Sequence, residues 1–421
     1  SKNPAILREY RRFDGGVRIG KLLEDMDTAS GDVASRHVFL EAAPRKPNGD
    51  ISMAMPDNVT ACVDSIRVLQ SVPDVTTGNI DMQIEGRIIW TGNSSMLIRV
   101  RVWTIPATWV IDQSHPKLGP REPDKSVPSI AHRTSDDASM SMKRLYLVAR
   151  KNSTPDRIGH EYTARGTEEA LDAMMPPEPE RKLFLEGHFL FVALSKQRKP
   201  LKINPVLVES WGDKKSSAFG EHLKQERAKN KATSLAKLIP NYEEMQYIHD
   251  KYQRGFLVNQ SHAGDMFDTA TSAPRTDHGH TFVPVGSTRL RNVNVTHPQD
   301  QNAGGKIFGG QLMRQATELA YQTCQLFWTM GEATAKSGAG KVGIDIVCID
   351  DIDFVRPVAI GSLISFTAHV GYTSRDYAVV IVQAEIYDYN ERSKFVSNNL
   401  SFVFRTKSRK PFQHVMPHGY G

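Results

Sequence analysis

The sequence predicts an α+β protein in which a long helix followed by an antiparallel β-sheet occurs twice. Three observations support this prediction. Four short blocks recur in the same order along the chain. A helical pattern of apolar residues opens each copy, and four strand-like runs bounded by Gly, Asn, Asp or Pro follow it. A chain of 421 residues has room for two or three domains, so a duplicated unit accounts for its length.

The recurring blocks define two copies of one unit. The pairs are Gly20–Leu23 with Gly310–Met313, Cys62–Ile66 with Cys348–Ile352, 90–98 with 372–380, and 191–200 with 402–411. The first three offsets are 290, 286 and 282 residues, whereas the last is 211. The first copy therefore carries about 71 additional residues, which we assign to an insertion at about 105–182. Its middle, 111–141, has a loop composition, and 168–175 has helical character.

These offsets divide the chain into three parts. Residues 1–212 form the first unit with its insertion, 213–280 a charged helical linker, and 281–421 the second unit. Within the linker we predict helices at 221–237 and 243–254, packed on the outside. The opening helices are predicted at Ile19–His37 and Gly309–Met330. The predicted strands are 58–69, 79–90, 95–104 and 187–195 in the first unit, and 342–354, 363–372, 377–389 and 398–405 in the second.

The apolar residues of the opening helices predict how each unit packs. In the first helix Leu22, Met26, Ala29 and Val33 recur at helical spacing, and the second helix is apolar on most sides. Such helices are buried, here by a curled antiparallel sheet that wraps around them. A long central helix wrapped in this way is the hotdog arrangement, so the sequence predicts two tandem hotdog domains.

Composition excludes several classes of protein. The formal charge of +6 is mild, no nucleic-acid motif is present, and no apolar run reaches the ~18 residues of a membrane span. Three cysteines without a CxxC pair predict neither a disulfide framework nor a metal site. A Gly-x-Ser-x-Gly elbow of serine hydrolases is also absent from the sequence.

Asp27 is the first candidate for chemistry. It lies on a helix whose other residues favour burial, and burying a carboxylate without partners costs several kcal/mol. Gly31, one turn later, leaves room beside it. The alternative is that Asp27 is merely exposed, because Glu24, Asp25 and Asp32 show that this helix also has a polar face.

Asn302 is the second candidate, in a glycine-rich segment that ends at Gly309 and Gly310. Backbone N–H groups at a helix start can polarise a carbonyl or hold a developing oxyanion. The alternative is that the glycines only make a tight turn into the helix, with Asn302 in that turn.

Together these residues resemble a known family. The matching runs are 297–302 and 307–314, followed by Glu318-Leu319-Ala320. They resemble the acyl-coenzyme A thioesterases of the hotdog superfamily, and the tandem arrangement resembles the mitochondrial acyl-CoA thioesterase 9 group. The resemblance implies an acyl-CoA thioester hydrolase that releases free fatty acid and CoA, in the mitochondrial matrix. It implies neither cofactor nor metal, and it implies a homo-oligomer, a trimer of double-hotdog units.

The resemblance also implies roles for single residues. The family places an acid seven residues after the second glycine of the helix start and an Asn seven before the first. Asp27 matches the acid and Asn302 the amide, whereas Thr317 and Arg12 occupy the corresponding positions of the other copy. One composite site per chain is therefore expected. Asp27 would activate water or attack the thioester, Asn302 would orient water or carbonyl, and the backbone N–H of Gly20 would bind the carbonyl oxygen.

Coenzyme A carries phosphates, so basic residues are expected at the mouth of the site. Gly309, Gly310, Arg36, Arg375 and Arg409 are the predicted substrate-binding residues. Further basic candidates are Arg198, Lys199 and Lys410. For any one of these cations the alternative is a solvated surface charge.

Two other functions remain as alternatives. A catalytically weak hotdog protein could bind acyl-CoA or serve as a structural component of a larger assembly. A hotdog hydratase would need an Asp and His dyad on a short loop, which the order His297-Pro298…Asn302 does not supply.

Overall fold

The computed structural model describes residues 4–42, 57–76, 80–106, 146–147, 181–195, 197–233, 238–258, 275–277, 280–302, 305–331, 343–350, 352–389 and 391–416. Nearly all of the predicted insertion at about 105–182 lies outside the described residues, including the predicted loop at 111–141 and the predicted helix at 168–175.

The helices and strands follow the predicted order. The helices are α1 Pro4–Tyr10, α2 Ile19–Ala42, α3 Trp211–Thr233, α4 Tyr242–Val258 and α5 Gly309–Gly331. The strands of the first copy are β1 Asp57–Val68, β2 Ile80–Thr91, β3 Ser95–Pro106, β4 Tyr146–Leu147 and β5 Lys182–Leu194. Those that follow are β6 Arg275–Asp277, β7 His280–Pro284, β8 Leu290–Val295, β9 Ile344–Asp350, β10 Ile352–Asp353, β11 Leu363–Ser374, β12 Tyr377–Asp388, β13 Ser393–Thr406 and β14 His414–Met416. The predicted strand at 342–354 is divided into β9 and β10.

The main sheet repeats its strand order about its centre. The order is β4-β2-β3-β5-β1-β9-β13-β12-β11-β8, with β10 beside β1, and the pairs between long strands are antiparallel. Counted outwards from the centre, the strands of the first copy are β1, β5, β3 and β2. Their counterparts in the second copy follow in the same order and are β9, β13, β12 and β11. This confirms the α+β prediction with an antiparallel sheet. Strands β6, β7 and β14 form a separate small sheet.

The strand pairing at the seam between the two copies, where β1 meets β9 and β10, is symmetric. Ile66 pairs with Ile349, and Val63 pairs with Ile352. The Cys62 and Cys348 blocks are offset by 286 residues, so Ile66 corresponds to Ile352 and Val63 corresponds to Ile349. Exchanging the two copies therefore converts one of these pairs into the other. The two copies therefore meet about a pseudo-two-fold axis, as the subunits of a symmetric dimer do.

Helices α2 and α5 lie on the inner face of the sheet and pack against each other across the same axis. Leu22 and Met26 of α2 and Met313 and Phe327 of α5 are almost fully buried. The apolar stripe predicted for α2 is confirmed, because Ala29 and Val33 also have no exposed surface. This packing brings residues of one helix next to the start of the other.

The linker helix α3 covers the outer face of the first copy. Arg87 of β2 forms an ion pair with Asp213, and the indole N–H of Trp90 donates to Glu221 at 3.1 Å. The helix begins ten residues before the predicted start at 221. Ser210 and Asp213 explain the earlier start, because each side chain accepts a hydrogen bond from the other's backbone N–H, which satisfies free donors of the first turn. In the part of the chain that the structure describes, no helix is long and apolar enough to cross a membrane.

Candidate active site

Asp27 is buried in the contact between the two helices. Its exposed fraction is 1%, so the alternative of an exposed Asp27 is wrong. Leu23 and Met26 on the same side of α2 are fully buried, whereas Thr28 on the other side is exposed. Because the apolar spacing of α2 directs this face inward, the carboxylate is carried into the interior with it.

Both carboxylate oxygens of Asp27 have hydrogen-bond donors. The hydroxyl of Thr60 on β1 donates to Oδ1 at 2.9 Å, and the backbone N–H of Gly310 donates to Oδ2 at 2.7 Å. Thr60 belongs to the first copy, and Gly310 belongs to the first turn of α5 in the second copy. The acid is thus held by both copies at once, with its negative charge at the positive end of the α5 dipole.

Burial raises the pKa of Asp27 to about 6. Removal from water is the largest cause, and the nearby Glu24 carboxylate acts in the same direction. The hydrogen bonds from Thr60 and Gly310 lower the pKa and offset part of that increase. A carboxylate with a pKa just below neutral is ionised at pH 7 and basic enough to take a proton, as a general base requires.

Close contacts at the start of α5 favour glycine at its first two positions. A Cβ on Gly309 would lie 3.1 Å from Oδ2 of Asp27, and one on Gly310 would lie 2.9 Å from the Cα of Glu24. The second contact is shorter than real Cβ contacts and involves backbone, which cannot move aside easily. Glycine at both positions therefore allows the helix start to approach the acid.

Asn302 lies in the loop that leads into this helix start. Its backbone N–H donates to the carbonyl of Lys306 at 2.7 Å, and its side-chain Oδ1 accepts from the Lys306 N–H at 3.1 Å. Gly305 allows the turn, with a φ of 69° in the left-handed region. The segment therefore forms the predicted turn, and the role of Asn302 in the chemistry stays a prediction. The same turn joins Asn302 to Gly309, so the loop and the donors next to Asp27 come from one segment of the second copy.

The prediction that the backbone N–H of Gly20 binds the carbonyl oxygen at the Asp27 site is corrected by this geometry. A Cβ on Gly20 would lie 3.0 Å from the backbone oxygen of Arg314, and Gly310 is the glycine that donates to Asp27. Because the two helices are related by the pseudo-two-fold axis, each helix start faces the other copy's helix. Gly20 thus faces the side of Thr317 rather than that of Asp27.

The corresponding position in the other half lacks an acid. The hydroxyl of Thr317 donates to the carbonyl of Met313 in its own helix at 2.7 Å. Arg12, at the position of Asn302, forms two hydrogen bonds with Asp14, at 2.9 and 2.7 Å, and its guanidinium lies 4.5 Å from the centre of the Tyr321 ring. Thr317 is hydrogen-bonded within its own helix and Arg12 is paired with Asp14, so this half of the chain has neither a base nor an amide at these positions.

Comparison with curated proteins identifies relatives along the whole chain. It is 30% identical over 420 residues to acyl-coenzyme A thioesterase 10, mitochondrial, of Mus musculus, covering 100% of this chain and 72% of the relative. It is 24% identical over 420 residues to acyl-coenzyme A thioesterase 9, mitochondrial, of Homo sapiens, covering 99% and 71%. The chain belongs to the acyl-coenzyme A thioesterase family. No family model matches the chain.

This assignment confirms the resemblance predicted from the sequence, and the protein is an acyl-CoA thioester hydrolase. Among solved structures, an acyl-CoA hydrolase from Staphylococcus aureus in complex with butyryl coenzyme A, coenzyme A and coenzyme A disulfide is 22% identical, with a TM-score of 0.28 over 33% of this chain and 79% of that chain. An apo-hexameric acyl-CoA thioesterase is 21% identical, with a TM-score of 0.27 over 32% of this chain and 81% of that chain.

Two of the predicted cations of this thioesterase lie away from the acid. Arg409, which pairs with Asp376 at 2.9 Å, follows β13, and Arg375 lies in the hairpin after β11. Both are at the Ile346 end of the seam between the copies, roughly 25 Å along the strands from Thr60. Within one chain they are therefore not at the mouth of the Asp27 site, a correction to their predicted role.

Three other basic candidates lie on the side of the acid. Arg198 and Lys199 correspond to Arg409 and Lys410 by the repeat, and they follow β5 at the end of the sheet where Thr60 pairs with Phe191. Arg36 is exposed on α2, roughly 13 Å along the helix from Asp27, and pairs with Asp32 at 3.1 Å.

Sequence reasoning missed Thr60. Its signal was present in the repeat, because the Cys62 and Cys348 blocks align Thr60 with Ile346. The structure supports this alignment: the strand register shifts at Ala61 in β1 and at the corresponding Val347 in β9. A polar residue in the copy with the acid, and an apolar one in the copy without it, mark this position as a partner of the acid.

Proposed function

We propose that this thioesterase hydrolyses acyl-CoA at one composite site per chain, built by both copies. Asp27 and Thr60 come from the first copy, and Asn302, Gly309 and Gly310 from the second. The hydrogen bond between Asp27 and Gly310 carries the proposal, because it joins the acid to the helix start that follows Asn302.

In the proposed mechanism Asp27 is the general base. A water molecule loses a proton to the carboxylate as its oxygen attacks the thioester carbon, and the tetrahedral intermediate then expels the CoA thiolate. The free fatty acid and CoA are the products, and the proton passes to solvent or to the thiolate. Attack by Asp27 itself, which would give an anhydride, is the alternative route to the same products.

The second copy would supply electrostatic stabilisation. In the resting site the N–H of Gly310 is engaged by Asp27, so its first role is to hold the base in place. The positive end of the α5 dipole would then stabilise the oxyanion, and Asn302 would orient the water or the carbonyl. Arg36, Arg198 and Lys199 are our candidates for contacts with the phosphates of CoA.

Release of CoA thiol from acyl-CoA by the purified protein tests this function. We expect Asp27→Asn to reduce turnover at least about a thousandfold while acyl-CoA binding persists, since an amide cannot accept the proton. Thr317→Ala, at the corresponding helix position of the other copy, is the matched control and should keep wild-type turnover. Turnover retained by Asp27→Asn would exclude Asp27 as the base or nucleophile.

A second candidate is a catalytically weak protein that binds acyl-CoA within a larger assembly. The observation in its favour is that one of the two corresponding sites has lost its acid, with Thr317 bonded to its own helix. Acyl-CoA binding without thiol release by the wild-type protein would support it.

Two further parts of the proposal concern assembly and location. We infer two hotdog domains that form a pseudo-dimer, assembled into a trimer of double-hotdog units, and sedimentation of the purified chain would measure this. The relatives' names support a mitochondrial location. We propose the matrix, which fractionation of mitochondria would test.

A further inference from the structure

One residue of each long helix lies on the pseudo-two-fold axis, and the two residues have opposite charges. The offset of 290 residues between the Gly20 and Gly310 blocks makes Arg314 the counterpart of Glu24. A guanidinium N–H of Arg314 donates to the carboxylate of Glu24 at 3.0 Å, so the two counterparts pair with each other. In a symmetric dimer a residue on the axis meets its own copy, and like charges would face each other. Duplication within one chain allows an ion pair here instead.

The same two residues contact the glycines at the helix starts. A Cβ on Gly310 would lie 2.9 Å from the Cα of Glu24, and one on Gly20 would lie 3.3 Å from the Cα of Arg314. Each helix start thus rests on the axial residue of the other helix. The ion pair therefore lies at the contact that presents the Gly310 N–H to Asp27.

Glu24 is also the charged neighbour of the acid. It lies three residues before Asp27, one turn earlier on the same helix, and its carboxylate raises the pKa of Asp27. The groups that donate to Asp27, the Thr60 hydroxyl of β1 and the Gly310 N–H of α5, carry no charge. A cation bound to Glu24 therefore acts on the base indirectly, by neutralising the charge next to it.

Cations from both helices neutralise the Glu24 carboxylate. On α2, Lys21 lies close to three carboxylates, those of Glu24 at 3.0 Å, Glu9 at 3.2 Å and Asp25 at 3.8 Å. Asp25 also accepts a hydrogen bond from the Tyr10 hydroxyl of α1. Because the single charge of Lys21 is divided among three carboxylates, Glu24 needs the second cation that Arg314 brings from α5.

We propose that Arg314 is a positioning residue for hydrolysis, which neutralises Glu24 across the axis and so keeps an uncompensated negative charge away from the base. It is a positioning residue rather than a catalytic one, because its described ion pair is with Glu24. The inference rests on the proposed function, since it takes Asp27 as the group whose ionisation governs turnover.

The experiment uses two variants that break the same ion pair, and it follows the acid limb of kcat/KM, where protonation of Asp27 stops turnover. In Arg314→Gln the charge of Glu24 is less neutralised, so the limb should move to higher pH by roughly half a unit, about threefold in kcat/KM below the limb. In Glu24→Gln the charge next to Asp27 is removed, so the limb should move to lower pH by a similar amount. A loss of packing alone would not give opposite shifts.

Three further variants serve as controls. Arg314→Lys retains the cation and should keep the wild-type limb. When Glu24→Gln is already present, adding Arg314→Gln should shift the limb by less than it does in the wild type, because Arg314 acts through Glu24. Glu318→Gln breaks the ion pair of Glu318 with Arg18, next to Thr317 in the other half, and should leave the limb unchanged.

The possible outcomes separate this inference from the proposed function. Shifts of both variants in one direction, or a shift in neither, overturn the role of Arg314. If Arg314→Gln does not fold, a lower limb in Glu24→Gln with a wild-type limb in Arg314→Lys supports the inference, and any other result overturns it. The proposed function is judged by a different variant, because only retained turnover in Asp27→Asn overturns it.

Discussion

The backbone N–H of Gly310 donates a hydrogen bond of 2.7 Å to Oδ2 of Asp27, a residue 283 positions earlier in the chain. The bond crosses the pseudo-two-fold axis, so the acid of one copy is held by the helix start of the other. Duplication followed by divergence explains why each copy could lose different residues. The first copy kept Asp27 and Thr60, and the second kept Asn302 and the two glycines.

We expect the turnover of this thioesterase to increase with pH through an acid limb near pH 6. Burial raises the pKa of Asp27 to about 6, so the base is protonated and inactive below that value and ionised above it. The measurement is kcat/KM for one acyl-CoA from about pH 4.5 to 8. A limb near pH 4, the ordinary value for a carboxyl group, would contradict the buried environment of Asp27.

Thr60→Val should move this limb to higher pH. The hydroxyl of Thr60 donates to Oδ1 of Asp27 and lowers the pKa of this carboxyl group. Loss of the hydroxyl should therefore raise the pKa of Asp27 further, because burial acts in that direction. We also expect a roughly tenfold lower turnover at pH 7, because fewer molecules carry the ionised base and its orientation is less fixed. Thr60→Ser retains the hydroxyl and is the control for both effects. A limb that moves to lower pH would contradict the role of this hydrogen bond.

Asp27→Asn should stabilise the protein at neutral pH while it abolishes turnover. With a folded pKa of about 6 against an unfolded value of 3.8, ionised Asp27 costs about 3 kcal/mol of folding free energy. The cost is absent below about pH 4, grows as the pH rises to about 6 and is constant above it. The stability gain of the variant, measured by urea unfolding, should therefore be larger at pH 8 than at pH 4.5. An equal gain at both pH values would exclude this linkage.

The fold was largely predictable because its signals are local and repeated. The helix that begins at Ile19 and the strands of both copies follow from apolar periodicity and turn residues, which act over a few positions. The early start of α3 at Trp211 was not predicted, because it depends on hydrogen bonds between Ser210 and Asp213 that mere composition does not reveal.

The sequence predicted which residues belong to the site better than it predicted which of them contact each other. The repeat and the family pattern gave Asp27 and Asn302, and the backbone N–H of Gly20, at the start of the helix that carries Asp27, was expected to bind the thioester carbonyl. The two-fold packing of α2 on α5 instead places the backbone N–H of Gly310 beside the acid. Phe354, whose ring lies beside Gly309, is far from the motifs along the chain, and the pairing of the strands brings it there.

Gly309→Ala should reduce turnover much more than Gly20→Ala does. A Cβ on Gly309 would lie 3.1 Å from Oδ2 of Asp27 and would displace either the acid or the helix start, so we expect a loss of about a hundredfold or more. Gly20→Ala meets the backbone of Arg314 at 3.0 Å instead, and it should lower stability while the folded enzyme keeps its turnover. Equal losses of turnover in the two variants would indicate that Gly20 does belong to the site, and would contradict this prediction.

Arg12 should matter for stability rather than for turnover. Its side chain and that of Asp14 are each only 10% exposed, and Arg12 also lies over the ring of Tyr321. The hydrogen bonds from Arg12 hold the pKa of Asp14 below its usual value, although burial alone would raise it. We expect Arg12→Met to leave this carboxylate without its cation and to destabilise the protein by about 2 kcal/mol at pH 7.

The pH dependence separates this ion pair from simple loss of packing. A carboxylate with a depressed pKa contributes stability above its unfolded value near pH 4, and that contribution is lost as the pH falls through the folded value. The destabilisation of Arg12→Met, measured by urea unfolding, should thus shrink below about pH 4, whereas lost packing against Tyr321 would persist. The folded variant should keep full kcat, because Arg12 belongs by the repeat to the half in which Thr317 stands in place of the acid. A fall in kcat would instead require the second position to take part in hydrolysis.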